Sequence, residues 1–476
     1  MTAAGPVQVA GGGPRDEEAA FAVLYRLSAI EVWERLSYYL LMTLLVLFLT
    51  APVANGGFGW STHAALGLYG GLVAAMQVLP VVGGALSDRL LGPARALRIG
   101  AVLMLVGHFT LAGPHAIPFF WAWCDPAFDR SSFFATRTKL QFGMGDLADQ
   151  LITGSLYAGL TLVALGNALF KPNISAIIGR LPFASPASRD AAFSLFHMFV
   201  NLGGLIAIVL GGWVAVRFGY GSAFTLAGFG MVAALMLMRC YRADITGASD
   251  NTATAAATPN AAAQTVATEQ GWIWPAALVL GVVTLFGVTL FQLLGTLNLY
   301  AASRVEASLL GMDFPVVWIL SMNPVVMLLV MPPLARSWRT GRGPGANLSL
   351  TAKAATGFLL FAIAFAGLSV AESLAGTALV PAIVLAATIA LITLAELLVG
   401  PSALSSITRI APVRHGALGV GLFYGALGVG GFLSGQIGAS AESLGFGAVF
   451  MLIAGACAAT SVMLAAMRQM AARLGL

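Results

Sequence analysis

Between Leu27 and Leu49 the chain is mostly apolar, and it carries charge at only three positions, Glu31, Glu34 and Arg35. A run of that length crosses a hydrocarbon core of roughly 30 Å as a helix rising 1.5 Å per residue. Further runs of the same character follow at 65–86, 96–114, 153–178, 192–214, 220–238, 273–297, 313–335, 352–371, 378–400, 416–437 and 444–467. Lipid offers backbone amides no hydrogen-bonding partner, so such segments must be helices or strands of a closed barrel. The alternating pattern of a barrel strand is nowhere visible. The expected fold class is therefore an all-α membrane protein of twelve transmembrane helices. Only 9% of residues are charged, against about a quarter in a soluble domain.

The net charge of +5 and pI near 9.3 record topology rather than affinity for nucleic acid. With the amino terminus inside, cytoplasmic segments collect most of the 24 Lys and Arg residues. That bias places both termini in the cytoplasm. Residues 1–27 read as a cytoplasmic arm, with no cleavable signal peptide. Residues 239–272 are rich in Ala, Thr and Asn and cannot bury a core, so they read as a flexible cytoplasmic linker. The linker divides the spans six and six, giving one bundle over 28–238 and a second over 273–476. Two such halves place a solute site between them near the midplane. The three cysteines, Cys124, Cys240 and Cys457, form neither a disulfide framework nor a metal-ligand spacing. Residues 115–152 make a long outer segment without an assigned role.

Charges inside a span are costly and face a neighbour or a watery cavity, never lipid. On a helix Glu31, Glu34, Arg35 and Tyr38 share one face. They can simply satisfy one another and hold the first helix in its bundle, or form a titratable, solute-facing site. In the second span lies Tyr69, and the span ends in GGALSDRLLG (83–92), with Asp88 and Arg89 at the cytoplasmic surface. Such a turn can tie two helix ends by carboxylate–guanidinium pairing. Lys171 sits mid-membrane in GNALFKPNISAIIG (166–179), beside Pro172, and needs an anionic partner from the protein or from a ligand. His197 and Asn201 share a face of the fifth span; the histidine is as readily a packed interhelical group as a proton carrier. Gln292 and Asn298 lie in the seventh span, Asn323 precedes Pro324 in the eighth, and Glu396 is the carboxylate deep in the tenth. One half thus offers Arg35 and Lys171, the other Glu396 and Asn323. A cavity with those walls suits a short zwitterion held by charge-assisted hydrogen bonds, with Glu31 and Glu34 supplying a proton site. The physical reading is a proton-coupled carrier of small zwitterions.

The motif EVWERLSYY (31–39) resembles the ExxERFxYY signature of the proton-dependent oligopeptide transporter family, within the major facilitator superfamily. LFKPNIS, FHMFVNLGGL, SMNP and AELLVGPSALSSITRIAP are similar to further signatures of that family, in the right order, and GGALSDRLLG to the superfamily's loop between helices 2 and 3. The resemblance spans nearly the whole chain and implies a major facilitator fold and proton-coupled import of di- and tripeptides. By the same resemblance Glu31, Glu34 and Arg35 handle the proton. Lys171 and Arg35 face the peptide carboxylate; Glu396, Asn323 and Asn201 face its amino end; Tyr38, Tyr39 and Tyr69 line the pocket. His197, Gln292, Asp88 and Arg89 are left as gating residues or residues without a defined role. The chain departs from the family pattern at Leu36, His197 and Leu422, and has no acid on the seventh helix near Gln292 or Leu293, so the outer gate must close on hydrogen bonds and packing or the coupling is altered. The implied protein is a monomer in the bacterial inner membrane, not an enzyme. It has no cofactor beyond the coupling proton, and its partners are the peptide and the bilayer. The alternatives are a same-fold carrier of nitrate, a modified amino acid or a peptide-like compound, and a transport-dead peptide sensor.

Overall fold

The protein is seen here as a computed structural model, which describes residues 14–124, 145–183, 186–250, 273–309, 312–340, 350–410 and 416–467. It is almost entirely helical. The first half contains α1 (Pro14–Thr50), α2 (Thr62–Leu86), α3 (Pro93–Cys124), α4 (Gly145–Gly179), α5 (Pro186–Cys240) and the short α6 (Arg242–Asp250). The second contains α7 (Ile273–Phe291), α8 (Thr296–Arg304), α9 (Met322–Thr340), α10 (Leu350–Ala375), α11 (Ala382–Ile410), α12 (Gly416–Ala439) and α13 (Phe446–Ala466). Two tiny sheets sit beside α8: β1 (Val305–Glu306) pairs in parallel with β4 (Val380–Pro381), and β2 (Ser308–Leu309) pairs antiparallel with β3 (Met312–Asp313).

Among the described residues eleven helices are long and apolar enough to cross a membrane. One of them, Ala192–Cys240, is 49 residues long and turns at Gly219, where φ is +82° and ψ 167°. A residue with a β-carbon rarely adopts that conformation, so the glycine lets one continuous run make the fifth and sixth crossings. The seventh crossing is likewise two pieces. Between α7 and α8 the backbone unwinds over 292–295, and Gly295 leaves helical geometry at φ −98°, ψ −97°. A β-carbon on Gly295 would stand 2.8 Å from the Tyr69 ring. The break is therefore where α2 presses against the second half. The eighth crossing opens with a 3-10 turn over Val316–Ser321 before α9 begins.

Three segments differ at their edges from the expectation. The helix α1 starts at Pro14, inside the stretch read as an arm, because proline is preorganised for a first helical turn and Ala20, Leu24 and Leu27 are buried. The helices α3 and α4 extend into the 115–152 segment. Helix α6 occupies the first part of the expected linker, since Ile245 and Ala248 are buried and Asp244 forms an ion pair with Arg26 at 2.8 Å. The segments 125–144 and 251–272 lie outside the described residues.

Each half has its own apolar core. One cluster is built almost wholly from residues before 250, the other from residues after 273. The halves meet most closely along α2 and α12, where Gly70 faces Gly435. A β-carbon on Gly435 would fall 2.4 Å from the Leu66 carbonyl oxygen, so the two backbones pack directly on one another, as small residues permit in lipid.

Candidate functional site

The charged face of α1 is buried, and it forms as helical spacing requires. Glu31, Glu34 and Arg35 are at most 6% exposed. The Arg35 guanidinium pairs with both oxygens of Glu34, through Nε and through Nη2 at 2.7 Å, and its Nε also lies 3.0 Å from Glu31 Oε1. Its carbon sits 4.8 Å above the Tyr38 ring, which in turn meets Tyr39 edge-on at 5.3 Å. Two carboxylates share one guanidinium, and Glu31 Oε2 is buried without a hydrogen-bond donor among the described residues. The cluster has an acceptor to spare.

From Tyr39 the path crosses to the second half. Tyr39, Asn201, Gly204, Leu293, Asn323 and Pro324 enclose a small cavity between the halves. Asn201 donates its amide to the His197 carbonyl one turn back, at 2.9 Å. Asn323, held at the start of α9 before Pro324, donates to Glu396 Oε2 at 3.1 Å and to Thr393 Oγ1 at 3.0 Å. Thr393 precedes Glu396 by three residues on α11, so the two present one polar face.

Lys171 projects from α4 beside Pro172. It donates to Gln77 Oε1 on α2 at 3.1 Å, and its ammonium lies 5.4 Å from the centroid of the Tyr424 ring on α12. Among the described residues no carboxylate forms an ion pair with it.

Other candidates lie elsewhere. Tyr69 is buried and donates to the Phe291 carbonyl at the α7–α8 break, at 3.2 Å. Gln292, fully buried, donates to the Ser434 carbonyl at 3.2 Å. Both serve the junction around the break. His197 is exposed on α5, and Arg89 is exposed at the cytoplasmic turn. The Asp88 side chain lies outside the described residues. The tie seen at that turn is Ser87 donating to Asn173 Oδ1 at 2.5 Å.

Away from residue 14, the far end of the molecule is closed by bonds between the halves. Asn298 on α8 donates to the Thr43 carbonyl of α1, and Trp318 Nε1 donates to the Val209 carbonyl of α5 at 2.9 Å. The His63 amide at the start of α2 donates to Glu442 Oε2 at 2.8 Å. The Tyr69–Phe291 bond is the fourth. Three of the four end on a backbone carbonyl, so this closure rests on hydrogen bonds and packing, one of the two routes expected of a seventh helix without an acid.

Sequence reasoning missed Gln77, Thr393, Tyr424, Trp318 and Glu442. Gln77 was findable as the amide in an otherwise apolar stretch of α2. The others carry no local signal, because only tertiary packing gives them partners.

Comparisons with known proteins agree with this architecture. A sequence model of the POT family, PTR2, matches residues 94–266 and 250–446. The chain is 28% identical over 470 residues to the peptide transporter YePEPT of Yersinia enterocolitica subsp. palearctica, across 86% of this chain and 85% of that one. Over 217 residues it is 33% identical to the di-/tripeptide transporter of Lactococcus lactis subsp. lactis, covering 44% of this chain and 36% of the other. The crystal structure of a peptide transporter POT in complex with sulfate superposes with a TM-score of 0.80 over 95% of both chains, at 24% identity. That of a POT family transporter in complex with 5-aminolevulinic acid gives 0.76 over 93% of this chain and 95% of that one, at 19% identity. The fold is thus the major facilitator fold, and the chain belongs to the POT family.

Proposed function

We propose that the protein is a proton-coupled symporter that imports di- and tripeptides across the bacterial inner membrane by alternating access, with both termini in the cytoplasm. The observation that carries this reading is one polar path across the two halves. It runs from the Glu31–Glu34–Arg35 cluster through Tyr38 and Tyr39, past the cavity shared with Asn201 and Asn323, to Glu396. A bound peptide lies in that path with its carboxylate toward Lys171 and Arg35 and its amino group toward Glu396. Lys171 has no carboxylate partner among the described residues, and a half-buried cation within the membrane without one is costly, so an anionic ligand end is attracted there. The α1 cluster takes up the proton, because two carboxylates compete for one guanidinium. The names of the Yersinia and Lactococcus relatives support the substrate class.

Opening toward the outside requires the far-end bonds to part, and the unwound segment between α7 and α8 lets α8 move separately from α7. The test is uptake of labelled di-alanine into proteoliposomes under an imposed inward proton gradient, with and without a protonophore. Accumulation that the protonophore abolishes supports the reading; no uptake and no stabilisation by di-alanine refute it. A second reading, carriage of a smaller zwitterion, is favoured by the neighbour bound to 5-aminolevulinic acid. It predicts that 5-aminolevulinic acid, and not di-alanine, competes for binding.

A further inference from the structure

The contact between Lys171 and Tyr424 joins the two halves at the level of the site. Lys171 and Gln77 belong to the first half; Tyr424 belongs to α12 of the second. The Gln77 side-chain oxygen accepts a hydrogen bond from one of the three ammonium N–H groups, and the face of an aromatic ring offers a cation a weaker attraction than a carboxylate does. Tyr424 is held by its neighbour: its ring meets the buried Phe423 edge-on at 5.4 Å. The ring therefore covers the cation from a fixed base.

We propose that Tyr424 stands in for the ligand carboxylate, so that in the empty carrier its ring covers Lys171 and an incoming carboxylate must displace it. Tyr424 is thus a positioning residue that sets how tightly the acidic end of the substrate is held. The proposal rests on the peptide reading for its natural ligand, but the displacement itself concerns any anion that reaches Lys171. The sign of its effect is what distinguishes it. A ring that merely lines the pocket loses contacts with the substrate when truncated, and affinity falls. A ring that competes with the substrate is removed from the equilibrium, and affinity rises.

The experiment measures dissociation constants of the full purified chain for di-alanine, for di-alanine amide (which lacks the carboxylate) and for sulfate. Tyr424→Leu should tighten di-alanine by between about 2-fold and 30-fold, the range that one cation–π contact supplies. It should tighten sulfate in the same sense and leave the amide unchanged. Tyr424→Phe, which keeps the ring, should return the affinity toward that of the native protein. The gain should vanish in Lys171→Ala/Tyr424→Leu. Weaker or unchanged binding of both anions in Tyr424→Leu, or equal tightening of di-alanine and its amide, overturns the proposal. Should the leucine variant not fold, Tyr424→Met carries the same expectations. If the native protein binds sulfate but not di-alanine, the peptide reading falls, and the sulfate arm still decides the role of Tyr424.

Discussion

Replacing Glu34 by glutamine separates a proton site from a structural clasp. Glu34 is fully buried and both its oxygens accept from Arg35. Glutamine keeps one acceptor and loses the other together with the charge, so one charge-assisted hydrogen bond goes, worth about 1.5–3 kcal/mol. Arg35 is not stranded, because Glu31 Oε1 remains 3.0 Å from its Nε. The penalty therefore stays below the roughly 3–5 kcal/mol incurred when a buried charge loses its only partner. The variant should fold and bind peptide, and it should exchange peptide in counterflow. It should not accumulate peptide against a gradient when a proton gradient is imposed. Both rates are measured on one proteoliposome preparation, with the melting temperature of the purified variant as the folding control. Equal loss of accumulation and counterflow would show that Glu34 only clasps Arg35. The Glu31–Glu34–Arg35 cluster would then be helix glue and not the site of proton coupling.

Lys171→Ala should abolish proton-driven uptake of di-alanine while leaving the purified protein folded; undiminished uptake would remove Lys171 from the mechanism. Glu396→Gln keeps an acceptor for Asn323 but not the charge, so peptides with a free amino end should lose affinity and amino-acetylated ones should not. Identical losses in competition binding would reverse the orientation proposed for the substrate. Gly435→Val places a side chain against the backbone of α2, where the Leu66 carbonyl cannot yield, so the far end should fail to close. Distance measurements between spin labels on the far ends of α2 and α12 should widen, and an unchanged distance would contradict the role given to this contact.

What the sequence made legible was whatever a single helix decides. The shared face of Glu31, Glu34, Arg35 and Tyr38 follows from 3.6 residues per turn, and the structure finds Arg35 touching the other three. Asn323 and Glu396 were legible as two polar groups on one wall, but not the hydrogen bond between them. What stayed hidden was whatever depends on the neighbouring helix. Lys171 announced that it needed a partner but could not name Gln77 or Tyr424, which lie 94 positions before it and on the far half of the chain. The break in the seventh crossing carries no proline, and it forms where the Tyr69 ring occupies the space beside Gly295. That glycine looks like any other of the 56 in the sequence. Helix α6 was hidden for a similar reason: its sequence is weakly apolar, and the Arg26–Asp244 pair that anchors it spans the first half.

The chemistry of the far end bears on how the cycle can run. A carrier that works by alternating access must break this far-end closure once in every turnover. Parting a desolvated ion pair would leave a buried charge uncompensated, at a cost of roughly 3–5 kcal/mol. Here Gln292 occupies the α7 terminus, and Asn298, Tyr69 and Trp318 donate to backbone carbonyls. Such bonds within a membrane protein contribute on average about 0.6 kcal/mol each, and the Thr43 and Val209 carbonyls, inside α1 and α5, can keep their helical partners. The three together come to roughly 2 kcal/mol, a factor of about 30 in the ratio of closed to open states. The Glu442 contact with the start of α2 is exposed and screened by water, and adds little. In the proposed cycle, ligand and proton binding at the central site must offset that amount for these three bonds, in addition to the packing of α2 against α12. A seventh helix without an acid at 292–293 is therefore compatible with the proposed gate, one held by a few weak contacts rather than by a single ion pair.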